Sequence, residues 1–155
     1  MNSLEHLEEQ ACKDGIEVIQ KDFKSNRIKG IYCDGTVALN NNIDTFKEKA
    51  CILAEELGHH YTSVGNILDL SVAQNRKQER QARLWAYNKQ IGLRGLIRAY
   101  EHGCKNRHET ADFLEVTEEF LESAIYEYRE KYGICTTIDN YIVFFIPQLA
   151  ICKKL

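Results

Sequence analysis

Four residues able to do chemistry sit in one short run: Glu55, Glu56, His59 and His60, in Ala50-Cys51-Ile52-Leu53-Ala54-Glu55-Glu56-Leu57-Gly58-His59-His60. Carboxylates and imidazoles hold metals and move protons. Side chains four apart on a helix meet on one face, so Glu55 meets His59. Glu56 lies about 100° round from Glu55. This is the layout of H-E-x-x-H, in which residues i and i+4 hold zinc and the intervening Glu is the general base. Here the first position is Glu. The competing frame, Glu56 with His60, puts Leu57 where the base belongs, and leucine cannot take a proton. The Glu55/His59 frame keeps Glu56 as base. Spacing alone leaves a second reading open, in which Glu55 and His59 are an ordinary surface pair.

These groups need a helix to carry them. The sequence predicts one from about Thr45 to Tyr61, with Asp44 or Thr45 as its N-cap. Phe46, Ala50, Leu53 and Leu57 share one face. Cys51 and Ile52 lie off that face, so residues 50–54 are apolar all round, and such a helix is buried. The carboxylates and imidazoles therefore follow directly from the most buried part of the chain. An isolated buried carboxylate is costly, so these groups need partners, water or a metal.

Around this helix the chain reads as α+β and mainly helical. Residues 3–14 carry Leu4, Leu7 and Ala11 at helical spacing, with Ser3 as cap and Gly15 as stop. Ile16 to Gln20, Ile28 to Cys33 and Thr36 to Asn40 read as strands. Asp34-Gly35 is a hairpin signal, so the small N-terminal sheet is at least partly antiparallel. Ile67 to Val72 is a short apolar stretch. Further helices are expected over Asn75–Lys89, closed by Gly92, then Leu93–His102, Glu109–Leu114 and from Thr117 to Gly133. One last strand is expected over Ile138–Ile146, stopped by Pro147. The expected division is 1–103 for the site-bearing domain and 104–155 for a small helical C-terminal region packed on it.

Composition bounds the function. The chain has 155 residues, 44% hydrophobic and 28% charged, enough for a normal core. Its net charge of −3 gives no global attraction to nucleic acid or an anionic membrane. No basic start precedes an apolar N-terminal run, and Tyr141–Pro147 is too short to span a bilayer. Six cysteines at irregular spacing, with no C-x-x-C, suit reduced thiols, so a cytoplasmic location is expected.

Glu55-Glu56-Leu57-Gly58-His59 after its apolar run resembles the active helix of the ImmA/IrrE family of metallopeptidases. Glu79-Arg80-Gln81-Ala82-Arg83-Leu84-Trp85-Ala86 is similar to that family's downstream Glu-x-x-Ala-x-x-aromatic-Ala helix, whose Glu supplies the third metal ligand. Leu114 to Leu121 looks like the small helical region that closes these proteins, and the hairpin from Gly30 to Leu39 fits the sheet ahead of the active helix. The resemblance covers about residues 15–133. It implies a zincin-like domain with a gluzincin-like site. Glu55, His59 and Glu79 would hold one divalent metal, Zn²⁺ first and Mn²⁺ as the second choice, with water in the fourth position. Glu56 would be the general base. The implied activity is a cytoplasmic, site-specific metallo-endopeptidase that cleaves a helix-turn-helix repressor of a phage or mobile element and so derepresses its genes. The family's usual first ligand is His, and Glu55 makes this site harder and more anionic. A catalytically inactive relative that binds a repressor without cutting it is the alternative.

Secondary candidates are His60 and Tyr61, as oxyanion or substrate contacts. His102 and His108 flank Cys104 without a recognised zinc spacing. Residues 109–132 have the outline of a helix-turn-helix. Their second helix offers Glu118, Glu119, Glu122, Glu127 and Glu130, which phosphate repels, so no direct nucleic-acid binding is expected.

Overall fold

The central helix begins where its cap places it. Thr45 has extended backbone, φ −118° and ψ 151°, and its Oγ1 accepts the Glu48 N–H at 3.2 Å. Helix α2 then runs Phe46–Thr62, one residue past the expected end. The structure is a computed structural model, and it describes residues 1–63 and 72–155. Of the apolar run, Ala50, Cys51, Leu53 and Ala54 are buried, as are Leu57 and Gly58 beyond it. Glu55, Glu56, His59 and His60 are only partly buried.

Helix α1 (Ser3–Lys13) and a three-stranded sheet pack on α2. Asn2, not Ser3, caps α1, because its Oδ1 accepts the Glu5 N–H at 2.9 Å. The sheet has the order β1-β3-β2, with β1 (Glu17–Lys21) parallel to β3 (Thr36–Asn40) and β2 (Gly30–Cys33) antiparallel to it. Asp34 and Gly35 take φ of 45° and 82°, the pair of left-handed residues that a tight hairpin turn requires. Leu7, Ala11, Val37, Leu39, Ala50, Leu53 and Leu57 have 0% exposure and form the core of this layer. Asn40 is buried beside them. Its Nδ2 donates to the Ser25 and Ile28 carbonyls, both at 2.8 Å, which pins the polar connection between β1 and β2.

Helix α3 (Val72–Gln90) starts three residues before the expected Asn75. The expected apolar stretch Ile67–Val72 falls almost wholly outside the described residues, which resume at Val72 at the head of α3. The chain divides into two compact units, Met1–Ala86 and Tyr87–Leu155, with the division inside α3. Gly58 of α2 meets α3 at backbone distance. A Cβ there would lie 2.3 Å from the Ala82 carbonyl oxygen and 3.1 Å from its Cα.

The second unit contains α4 (Gly92–His102), α5 (Arg107–Leu114), α6 (Glu118–Tyr132) and a second sheet. Gly92, expected to close α3, opens α4 instead with φ +64°. Asn106 and Thr117 cap α5 and α6 through their side chains. Val116, Leu121, Ala124 and Tyr128 are buried among them, and the Tyr128 hydroxyl donates to Asn88 Oδ1 at 3.0 Å. The expected single last strand is in fact the middle of three. β5 (Tyr141–Phe144) lies antiparallel between β4 (Cys135–Ile138) and β6 (Ala150–Lys153). Ile138 pairs with Tyr141 across a two-residue turn, with Asp139 at φ 52°. The C-terminal region is therefore not purely helical. Among the described residues, no helix is long and apolar enough to cross a membrane.

The Gly58 contact generates a stability prediction. Gly58→Ala should cost about 1–3 kcal/mol, because a rigid backbone must retreat from the added methyl. Urea unfolding should show a lower midpoint at an unchanged slope. Ala82→Gly in the same chain should not rescue it, since the clash is with the Ala82 backbone. Wild-type stability in Gly58→Ala would refute the close crossing.

Candidate active site

The crossing of α2 and α3 assembles the polar cluster. Ala82 lies against Gly58, and Glu79 is one helical turn before it. That places Glu79 beside His59, with Nε2 to Oε2 at 3.3 Å. The His59 side chain is 20% exposed and that of Glu79 56%, so the pair stands at the edge of a solvent-open patch.

Glu55 and Glu56 complete the patch from α2. Burial raises the Glu55 carboxyl above its usual range; the Arg83 guanidinium opposes this, and the Glu79 charge adds to it. Burial pushes Glu56 up to about 7, and repulsion from Glu55 and Glu79 pushes it the same way. The backbone N–H of Tyr32 donates to Glu56 and acts in the opposite sense. Three carboxylates and one imidazole thus crowd together, with the Arg83 guanidinium near Glu55. A carboxylate poised near neutrality is a competent base at physiological pH.

The donor set fits a divalent metal in type and in one separation. Two ligands held tetrahedrally at 2.0–2.1 Å from a metal stand roughly 3.3 Å apart. His59 Nε2 and Glu79 Oε2 have that spacing. Among the described residues, no group of three or more His, Cys, Asp or Glu side chains forms a ready metal cage. Glu55 reaches the cluster as a neighbouring charge, not as a third arm of a formed site.

The two secondary candidates differ. His60 belongs to the patch: its Nδ1 shares a 2.7 Å hydrogen bond with the Tyr32 hydroxyl, and the rings meet edge to face. Tyr61 meets the His60 ring edge to face at 5.0 Å and has further partners beyond the patch. Its hydroxyl donates to Asp14 beyond α1, and its ring stacks on Trp85 at 4.9 Å. Tyr61 therefore ties α2 to the end of α1 and to α3. The residues around Cys104 have separate partners. His102 stacks on Phe113, Cys104 Sγ lies 3.5 Å from the Glu109 carbonyl, and His108 Nδ1 is 3.0 Å from Glu118.

Tyr32 is the site residue that motif spacing missed. Its signal was strand periodicity: Gly30 and Tyr32 share one face of β2. A Cβ at Gly30 would lie 2.8 Å from Ile52 and 3.3 Å from Glu56 Cγ, so that face lies on α2 over the base. Arg83 stands in the sequence only as one residue of the Glu79–Ala86 segment, with no role assigned to it.

No curated protein and no solved structure matches the chain. A family model does, the IrrE N-terminal-like domain of peptidase M78, over residues 11–126. That span is most of the chain and holds every residue of the cluster, from Tyr32 on β2 to Arg83 on α3. The chain belongs to the ImmA/IrrE family, and its function is peptidase-like.

Proposed function

We propose that this protein is a metal-dependent, site-specific endopeptidase that cleaves a helix-turn-helix repressor of a phage or mobile element. Cleavage would derepress the silenced genes, and the enzyme would act in the cytoplasm, where such a repressor works. The observation that carries the enzymatic reading is the arrangement: His59 and Glu79 pair at 3.3 Å, and beside them stands Glu56, a carboxyl that burial and its acidic neighbours push up to about 7 in the metal-free chain. A purely structural carboxylate gains nothing from two acidic neighbours. The substrate class rests on the family resemblance, and the partner is a protein, with neither nucleic acid nor membrane bound directly.

In this reading Glu55, His59 and Glu79 hold one divalent ion. Zn²⁺ is the first choice, and two carboxylates with one imidazole also accept Mn²⁺. When bound, such an ion supplies Lewis acidity and activates water for attack. The chain's own residues do the rest. Glu56 takes a proton from the attacking water as the carbon–oxygen bond forms. It then delivers that proton to the leaving amine nitrogen as the peptide C–N bond breaks. The Tyr32 N–H holds the Glu56 carboxylate during this exchange.

One observation favours the non-cleaving alternative. Arg83 acts on Glu55 as an opposite charge, so Glu55 has a cation available other than a metal. A relative that had given up its metal could keep the fold on that pair and bind a repressor without cutting it.

Two experiments separate the readings. Glu56→Gln should keep the fold and metal content while cleavage of the candidate repressor falls at least about 10²-fold, the usual contribution of a general base. Cleavage at the wild-type rate would refute the assignment. Zn²⁺ or Mn²⁺ at a hundredfold excess over its Kd should stabilise the wild-type chain by about 2.7 kcal/mol. The accompanying rise in Tm should vanish in His59→Ala and in Glu79→Ala. No rise with either metal in the wild type would favour the non-cleaving relative.

A further inference from the structure

The chain places two histidines side by side, His59 and His60, and only one of them faces Glu79. The other is held by β2. Tyr32 hydroxyl and His60 Nδ1 are 2.7 Å apart, and the Gly35 N–H donates to the same hydroxyl at 3.1 Å. A phenol has one proton and can accept as well as donate. The Gly35 N–H already donates to the Tyr32 oxygen, and this favours the phenolic proton, rather than an imidazole N–H, as the donor in the contact with Nδ1. A neutral imidazole that accepts at Nδ1 carries its proton on Nε2. The edge-to-face packing of His60 on Tyr32 at 5.4 Å and on Tyr61 at 5.0 Å fixes the ring plane.

We propose that Tyr32 is a positioning residue that makes the two histidines unlike, holding His60 as the Nε2–H tautomer so that it donates a hydrogen bond and does not ligate metal. His60 is four residues after Glu56 and so shares its helical face. On that face an N–H donor suits a peptide carbonyl oxygen of the substrate. His59 is left as the histidine that faces the acidic pair. Tyr32 thereby acts twice on one helix face. Its backbone N–H holds the Glu56 carboxylate and its hydroxyl holds His60. The substrate role of His60 rests on the peptidase reading; the tautomer assignment rests on the hydrogen bonds alone.

The test is long-range ¹H–¹⁵N NMR of the histidine rings in the full-length, metal-free, ¹⁵N-labelled chain. It is run at pH of about 8, above the usual histidine range near 6.5. His60→Gln assigns the His60 signals by their loss. The expected wild-type pattern is a single tautomer, with a bare Nδ1 and a protonated Nε2. In Tyr32→Phe that single-tautomer pattern should be lost while the circular dichroism spectrum stays the same. A proton on Nδ1 in the wild type overturns the proposal, and so does an unchanged His60 pattern in folded Tyr32→Phe. The wild-type spectrum decides the tautomer by itself, so a Tyr32→Phe chain that fails to fold does not shield the idea. Zn²⁺ is then added to the labelled wild type. It should move the His59 ring signals and leave the His60 tautomer in place. A chain whose histidine spectrum ignores Zn²⁺ but shows the Nε2–H form of His60 would overturn the metal reading and uphold the Tyr32 assignment. Conversion of His60 to a zinc-ligating form on addition of the metal would overturn the assignment.

Discussion

The site depends on how closely two helices can approach. Gly58 is flush against the Ala82 backbone, and a single methyl group would not fit between them. Helix geometry then does the positioning. His59 follows Gly58, and Glu79 precedes Ala82 by one turn, so the two side chains are brought to 3.3 Å. Arg83 follows Ala82 and acts on Glu55 from the same helix. Glycine at 58 is therefore a requirement of the cluster as much as of the packing. The apolar residues at 50–54 fix α2 in the core, and the crossing fixes what its polar end meets.

Crowding three carboxylates has an electrostatic cost in the metal-free chain. Burial and mutual repulsion both raise Glu55 and Glu56, so part of the stability supplied by the core beneath is offset at the site. Such sites persist where function uses the strain. Under the proposed reading the same crowding creates affinity for a divalent cation, because the ion removes the repulsion that burial has made expensive. In the metal-free chain the crowding also raises Glu56, an effect that a bound cation would reduce.

The sequence was legible where chemistry follows local spacing. The α2 cap, the buried run apart from the partly exposed Ile52, the Asp34-Gly35 hairpin and the α+β class could be read from short windows, and the structure bears them out. The family was legible from two segments, around residues 55–59 and 79–86, and the family model covers both. What could not be read depends on through-space contacts. Nothing near Tyr32 in sequence announces His60, which is 28 residues away. Nor does the sequence near Tyr61 announce that its ring stacks on Trp85 and its hydroxyl donates to Asp14. Of the last sheet only the middle strand was legible, for a different reason. Cys135–Ile138 is a short β-rich segment directly after a glycine-stopped helix, and only its pairing with β5 and the turn at Asp139 make it a strand.

Glu55 is where sequence and structure pull in different directions. A histidine there would bring a neutral donor. Glutamate brings a charge that must be balanced, and the chain offers Arg83 for that purpose. Arg83 and Glu79 are four residues apart on α3 and so rise from one face. Glu55 thus faces a cationic arm and an anionic arm from the same helix. In the metal-free state the arginine is its natural counter-charge. If Glu55, His59 and Glu79 held a divalent ion, as proposed, Arg83 would be released to meet an anionic group elsewhere, such as a carboxylate on a substrate. An arginine keeps its charge in either role, because its guanidinium does not deprotonate in proteins. Under the proposed metal reading, Glu55 would therefore couple metal occupancy to the freedom of Arg83, which a histidine at the same position would not do.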